Sequence, residues 1–216
     1  MASLIPTFVP FEADGVRGFL HEAGDGAKNG MVLTHGAGGN CDAPVLMAVA
    51  AAFQAAGVAV LRCDLPFRQK RASGPPAPAD AVRDRAGLRS AVTALRNIVS
   101  GRVLLAGHSY GGRQASMLAA DEAELADALL LLSYPLHPPK KPDQLRTAHL
   151  LKLRTRAMFV HGAKDPFGSI YEMETALAHV PAPKRLIVVD GAGHDLKGGK
   201  IDLKSLVEGL FEFVRL

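Results

Sequence analysis

The sequence predicts an α/β fold built on a mostly parallel central sheet, with helices covering both faces. Two observations lead there. Short apolar runs dense in Val, Leu and Ile recur along the 216 residues, as in "GMVLTH", "VAVLRC", "RVLLAG", "DALLLLSY", "RAMFVHG" and "KRLIVVDG". Strands buried on both faces read this way, because neither side has to meet water. Between the runs lie stretches whose apolar residues repeat at steps of three and four, the helical period. Alternation of the two is the pattern of a parallel sheet with crossover helices. No repeat or linker divides the chain, so one domain over residues 1–216 is expected. In open sheets of this kind ligands bind beyond the carboxyl ends of the strands, which directs attention to the turns that follow them.

Taken in order, "TFVPFEADGVRGFL" is a hairpin turning at Asp14-Gly15, which adds an antiparallel pair at one edge. "GMVLTH" is a strand; a loop, "HGAGGNCD", leads to a helix over about residues 43–56 that stops at Gly57. "VAVLRC" is the next strand. Residues 64–79, "DLPFRQKRASGPPAPA", are rich in proline and lack periodicity, so they read as a loop. The following helix carries Val82, Ala86, Leu88, Val92, Leu95 and Val99 on one stripe and ends by Gly101. "RVLLAG" leads into the helical "GRQASMLAADE". After "DALLLLSY", the stretch "PLHPPKKPDQ" is a proline-rich loop and "LRTAHLLKL" a short helix. A helix over about residues 169–179 joins the last two strands. The final helix, about 203–214, puts Leu206, Leu210, Phe213 and Val214 on one side. Residues 134–155 hold only that loop and short helix, so no large cap is expected.

Composition excludes several classes. At 48% hydrophobic the chain can bury a sizeable core, and with 6% aromatics and no Trp that core is mostly Ala, Leu and Val. The formal charge is +4, but Lys and Arg are scattered. The densest groups are Arg68, Lys70 and Arg71, and the pair Lys140–Lys141, which is too little for a nucleic-acid footprint. The only cysteines, Cys41 and Cys63, do not suggest a disulfide framework and point to a reducing compartment. "MASLIPTFVPFEADG" has no basic leader segment, and Pro6, Pro10 and Glu12 interrupt its apolar residues, so no signal peptide is expected. The longest uncharged apolar stretch, "APVLMAVAAAF", falls short of the about 20 residues that span a bilayer. A cytoplasmic protein with no membrane span is expected.

The chemistry centres on "LLAGHSYGGRQ", residues 104–114. Gly107-His108-Ser109-Tyr110-Gly111 fits G-x-S-x-G between a strand and a helix, the pattern of a nucleophile elbow. The serine stands at the tip of a very sharp turn. The residues two before and two after it then come close, where a Cβ would clash. Gly112 lets the incoming helix pack near the strand, and the helix N-terminus offers free N–H groups beside the serine.

A serine hydroxyl needs a base. "VVDGAGHDLKGG" supplies His194 on the loop after the last strand, between glycines. His35, His108 and His161 each belong to a strand-end motif; His21, His149 and His179 lie in hairpin or helix positions; His137 is the other loop histidine to keep in view. The base needs an orienting carboxylate. "MFVHGAKDPFGS" puts Asp165 just beyond a strand, giving the order Ser…Asp…His, with Asp190 and Asp195 as rivals. Asp64 is expected to hold its own loop. Donors for a developing oxyanion are expected from the Tyr110 N–H and from "HGAGG", with Ala37 first and Gly38 as the alternative. His35 is expected to brace that loop. The histidines lack H-x-H or H-E-x-x-H spacing and the cysteines form no C-x-x-C, so neither a metal nor a cofactor is expected.

Together "HGAGG", "DLPFR", "GHSYGG", "SYPLHPP", "HGAKDPFG" and "GHDLKG" resemble the α/β-hydrolase superfamily over nearly the whole chain. "DLPFR" and "SYPLHPP" resemble, more narrowly, a small cap-less branch. That branch has testis-expressed relatives and a histone-acetyltransferase-complex subunit in animals, and is distantly similar to dienelactone hydrolases. The resemblance implies Ser109 as nucleophile, Asp165 as acid and His194 as base. Dienelactone hydrolases carry a cysteine at the elbow, so Ser109 departs from them. The expected function is a serine hydrolase cleaving an ester-like bond of a small molecule. A thioesterase or amidase, or a non-catalytic scaffold that keeps the fold, are the alternatives. Without a cap the pocket should be shallow and open, suited to short or compact acyl groups. Arg68, Lys70, Arg71, Lys140, Lys141 and Lys197 would make its mouth attractive to anions.

Overall fold

The computed structural model describes residues 7–24 and 26–215. Strands β1 (Phe8–Ala13) and β2 (Val16–His21) form the edge hairpin. Its turn residues, Asp14 and Gly15, both sit at positive φ, 52° and 76°. Two such residues give the mirror-image turn whose twist matches that of paired strands. The sequence "MASLIP", on which part of the signal-peptide expectation rests, lies outside the described residues.

β2 pairs antiparallel with β4 (Val58–Asp64). From there the sheet is parallel: β3 (Asn29–Thr34), β4, β5 (Val103–His108), β6 (Ala128–Leu132), β7 (Ala157–Gly162) and β8 (Lys184–Val189) all run the same way. The spatial order is β1-β2-β4-β3-β5-β6-β7-β8. From β3 the chain steps to β4 on one side and then to β5 on the other. The connections leaving β3 and β5 therefore part in opposite directions, and a crevice opens between them at the strands' carboxyl ends.

Helices α1 (Pro44–Ala55), α2 (Pro66–Lys70), α3 (Asp80–Arg96), α4 (Tyr110–Asp121), α5 (Ile170–Ala178) and α6 (Leu203–Val214) complete the fold. α1 and α6 pack on one face through Leu46, Phe53, Leu206 and Leu210. α3, α4 and α5 pack on the other through Leu88, Leu95, Leu118 and Met173. β5 serves both cores, sending Leu105 to the second and Leu104 and Ala106 to the first. This is why its sequence is apolar without alternation. Among the described residues, no helix is long and apolar enough to cross a membrane.

Three local expectations change. Residues 64–79 are not one continuous loop: Pro66, at the first turn of α2, starts a helix where its missing N–H costs nothing. The short helix in "LRTAHLLKL" is a 3-10 segment, Ala148–Lys152. The apolar stripe of α3 begins at Leu88; Val82 is 68% exposed, and Asp84 is turned inward instead.

Candidate active site

β5 ends at His108 and α4 begins at Tyr110, so the whole reversal falls on Ser109, at φ 50° and ψ −115°. A non-glycine residue in this region is strained by about 1–3 kcal/mol and persists only where its surroundings hold it. Ser109 N–H donates to the Leu132 carbonyl at 2.8 Å, which fixes the turn to β6. A Cβ on Gly107 would lie 2.5 Å from the Gly112 nitrogen, and one on Gly112 would lie 2.6 Å from the Gly107 carbonyl oxygen. Gly111 is needed for a different reason: its Cβ would lie 2.5 Å from the carbonyl oxygen of His35, on the loop after β3.

Ser109 Oγ is 2.7 Å from His194 Nε2. His194 Nδ1 is 2.8 and 3.0 Å from the two carboxylate oxygens of Asp165. An ionised carboxylate only accepts, so Nδ1 carries the proton and Nε2 is left to accept from the serine hydroxyl. The Asp165 side chain is wholly buried and accepts from the Phe167 N–H at 2.9 Å. His161 keeps its Nε2–H on the Gly168 carbonyl at 2.7 Å and lies 3.7 Å from Asp165. Burial holds its pKa below the usual histidine value.

Two further groups steady His194. The Phe167 ring stacks on the imidazole with centroids 4.0 Å apart. His108 Nε2 donates to the His194 carbonyl at 2.9 Å. Burial likewise lowers the pKa of His108, which suits a neutral, single-tautomer brace.

The other candidates lie elsewhere. Asp190 is exposed. Asp195 is exposed and accepts from the Lys197 N–H at 3.0 Å. Asp64 accepts from the Cys41 N–H at 2.8 Å. His137 donates through Nδ1 to the Pro138 carbonyl at 2.8 Å and faces Glu172 at 3.4 Å.

The β3 loop runs directly beside the serine: a Cβ on Gly36 would sit 3.3 Å from Ser109 Cβ. His35 is buried, donating to the Gly36 carbonyl at 2.8 Å and accepting from the Leu65 N–H at 3.1 Å. Arg68 ties the loop down. Its guanidinium donates to the carbonyls of Gly39 (2.7 Å), Ala37 (3.0 Å), Gly74 (2.9 Å) and Arg71 (3.1 Å). It is buried and does not line the cavity, so its guanidinium is not available at the mouth as a contact. With the loop's carbonyls engaged, the Ala37 N–H has no protein acceptor among the described residues, and the same holds for Tyr110 at the head of α4.

A cavity of about 1320 Å³ opens over Ser109 and His194. Its volume is substantial although no large cap covers it. α1 and the segment entering α6 supply an apolar wall from Val45, Ala48, Ile201 and Leu203, which the sequence alone does not bring together. Of the six basic residues expected at the mouth, only Lys197 lines it; Arg85, Arg113 and Arg146 are the arginines that do. Among the described residues, no group of three or more His, Cys, Asp or Glu converges as metal ligands would. Cys41 and Cys63 are free, and burial pushes both thiols up to about 12.

Residues 27–213 match the model of the alpha/beta hydrolase domain family, and the chain belongs to that family. Solved structures share the fold. A dienelactone hydrolase from Anabaena variabilis is 22% identical with a TM-score of 0.72, over 97% of this chain and 96% of that one. An alpha-beta serine hydrolase homologue from Coxiella burnetii is 17% identical with a TM-score of 0.69, over 100% and 99%. A serine hydrolase without lid from Xanthomonas campestris is 15% identical with a TM-score of 0.68, over 100% and 96%.

Sequence reasoning missed Arg68, Phe167 and His108 as parts of this centre. All three stand inside motifs it singled out, "DLPFR", "HGAKDPFG" and "GHSYGG", but only the folded chain shows what they touch. A lysine cannot reach four carbonyls from one planar fork. Arg68→Lys is therefore expected to lower stability by about 2–4 kcal/mol through buried acceptors left unpaired. It should also speed hydrogen exchange in residues 36–39. Chemical denaturation and amide exchange measure the two effects.

Proposed function

We propose that the protein is a serine hydrolase that cleaves an ester-like bond of a small molecule, with Ser109 as nucleophile, His194 as base and Asp165 as its orienting acid. The observation that carries this reading is the continuous hydrogen-bonded chain from Ser109 Oγ through His194 to the buried Asp165 carboxylate, with Ser109 and His194 lining a large cavity.

Ser109 Oγ forms a bond to the substrate carbonyl carbon as His194 Nε2 takes its proton. The carbonyl electron pair moves onto oxygen, where the free N–H groups of Tyr110 and Ala37 receive the charge, with the Gly38 amide as the alternative to Ala37. Collapse of this intermediate breaks the bond to the leaving alcohol, which takes the proton from His194. Water then repeats the sequence: His194 removes its proton, the acyl–Ser109 bond breaks, and the proton returns to Ser109. Asp165 keeps the Nδ1–H tautomer and favours the imidazolium without itself being protonated.

The same chain would serve a thioester or an amide. An ester is proposed over an amide because an alkoxide leaves with less demand on the proton donor than an amide nitrogen does; a thioester, whose thiolate leaves more easily still, is the alternative. The narrower cap-less branch indicated by "DLPFR" and "SYPLHPP" is part of this proposal. So is a cytoplasmic location, which suits two free, buried thiols.

A fluorophosphonate should add one equivalent of mass, mapping to Ser109. A protein that stays unlabelled while folded would favour the scaffold alternative. Asp165→Asn should lower kcat by about 10⁴-fold, as loss of tautomer control does in such triads, while Asp190→Asn should change it little. The reverse ranking in steady-state kinetics would assign the acid to Asp190. In a crystal structure of the phosphonate adduct, one phosphoryl oxygen should lie about 2.7–3.1 Å from the N–H groups of Tyr110 and of Ala37 or Gly38. An oxygen turned to solvent would exclude this oxyanion site.

A further inference from the structure

The cavity is chemically two-sided. Its apolar wall comes from the α1 and α6 face of the sheet. Its opposite wall, from α3, α4 and the loop after β6, carries Arg85, Arg113, Arg146 and Gln114. Elsewhere arginines are matched to acids: Arg71 and Arg83 to Asp80, and Arg89 to Glu122. Among the described residues, none of the three cavity arginines has a carboxylate partner. Arg85 donates only to Gln114 Oε1, at 3.0 Å. Arg113 Nε is buried without an acceptor. Gln114 is fully buried, and its Nε2 has no acceptor either.

Like charges gathered without a counter-charge are unfavourable, and buried donors without acceptors cost more. The neighbours feel this. Burial, and then the Arg113 charge, disfavour the Arg146 cation. Burial, and then Arg113, hold the His149 pKa down to about 4, so His149 is neutral near pH 7. An incidental surface cluster would be spread over open solvent, but here three arginines without carboxylate partners line one wall of a single cavity, with the buried Gln114 side chain behind them. The frame is also fixed in place. Arg146 N–H donates to the Leu136 carbonyl at 2.7 Å, and the Tyr134 hydroxyl donates to the Arg146 carbonyl at 2.9 Å. The Ser116 hydroxyl donates to the Arg113 carbonyl at 2.9 Å, and His149 Nε2 lies 2.8 Å from Ser116 Oγ.

We propose that Arg113, Arg85 and Arg146 form an anion subsite, with Gln114 holding Arg85 from behind, and that the substrate is an ester carrying a carboxylate or phosphate group that docks there. The remaining apolar part of the substrate then lies along Val45, Ala48, Ile201 and Leu203. The reaction in this inference rests on the hydrolase reading of Ser109, whereas the anion subsite is defined by side chains outside the Ser109–His194–Asp165 chain.

The test compares three p-nitrophenyl esters of similar length: butyrate, the half-ester of glutarate, and its phosphonate-ended analogue. The better anionic ester should exceed butyrate in kcat/KM by about tenfold or more, the worth of a charge-assisted hydrogen bond. Whichever anionic ester is faster identifies carboxylate or phosphate. The anionic-to-neutral ratio should fall at least several-fold in Arg113→Gln and in Arg146→Gln. It should keep its wild-type value in Lys141→Gln, an exposed cation outside the cavity. If butyrate turns over and Ser109 takes the fluorophosphonate label, yet the ratio is near one or is the same in every variant, the subsite is wrong and the hydrolase reading stands. If no ester is cleaved and Ser109 is not labelled, the hydrolase reading fails. Calorimetric titration of glutarate and of inorganic phosphate then decides the subsite alone. Binding to the wild type that is lost in Arg113→Gln upholds it; absent or unchanged binding overturns it.

Discussion

The close approach of β5 to the first turn of α4 is the constraint on which the rest of the centre depends. One residue has to reverse the chain, and Ser109 does so in a backbone conformation that costs energy. That geometry is possible only where Gly107 and Gly112 meet without side chains. It raises the serine hydroxyl to the rim of the sheet, points the head of α4 at the same spot, and brings the His35 carbonyl against Gly111. The β3 loop, the Asp165 turn and the His194 loop are then arranged around a point that β5 and α4 have fixed.

Much of the surrounding polar structure holds these loops rather than meeting solvent. "DLPFR" is a set of fasteners: Asp64 takes the Cys41 amide, the Leu65 amide reaches His35, the Phe67 amide reaches Asp84, and Arg68 gathers four carbonyls. Asp84 also accepts from the Tyr110 hydroxyl at 2.7 Å. "SYPLHPP" does similar work on the other side, where the His137 amide donates to the Phe167 carbonyl at 3.1 Å. Leu136 packs where a Cβ on Gly168 would lie 3.0 Å from it.

What could be read from the sequence follows from how local each cause is. A strand buried on both faces needs continuous Val, Leu and Ile, so β3 to β7 are visible in the letters. The elbow depends on steric contacts within a few residues, so its glycines mark it. The serine, histidine and carboxylate named by chain order do lie in one hydrogen-bonded chain. The basic residues could not be placed this way. Arg68 and Arg113 are the same letter, yet α2 folds one into the backbone and α4 turns the other into the cavity. The inward turn of Asp84 breaks the apolar stripe of α3 because Phe67 and Tyr110 reach it from distant parts of the chain. The size of the cavity depends on how far α1 and the start of α6 stand from the serine, a distance no local pattern records.

The part of the cavity wall formed by Pro75, Pro76 and Pro78 has a consequence of its own. A proline has given up its φ freedom before the chain folds. This stretch is also anchored at both ends, through the Gly74 carbonyl on Arg68 and the Ala77 amide on Asp80 at 2.7 Å. An incoming molecule therefore has little left to order along this stretch, which is not built as a flap. In lidded enzymes the opening of such a flap often sets the pace of the cycle. This side of the cavity is ordered in advance instead, its three prolines and two hydrogen bonds set before any molecule arrives.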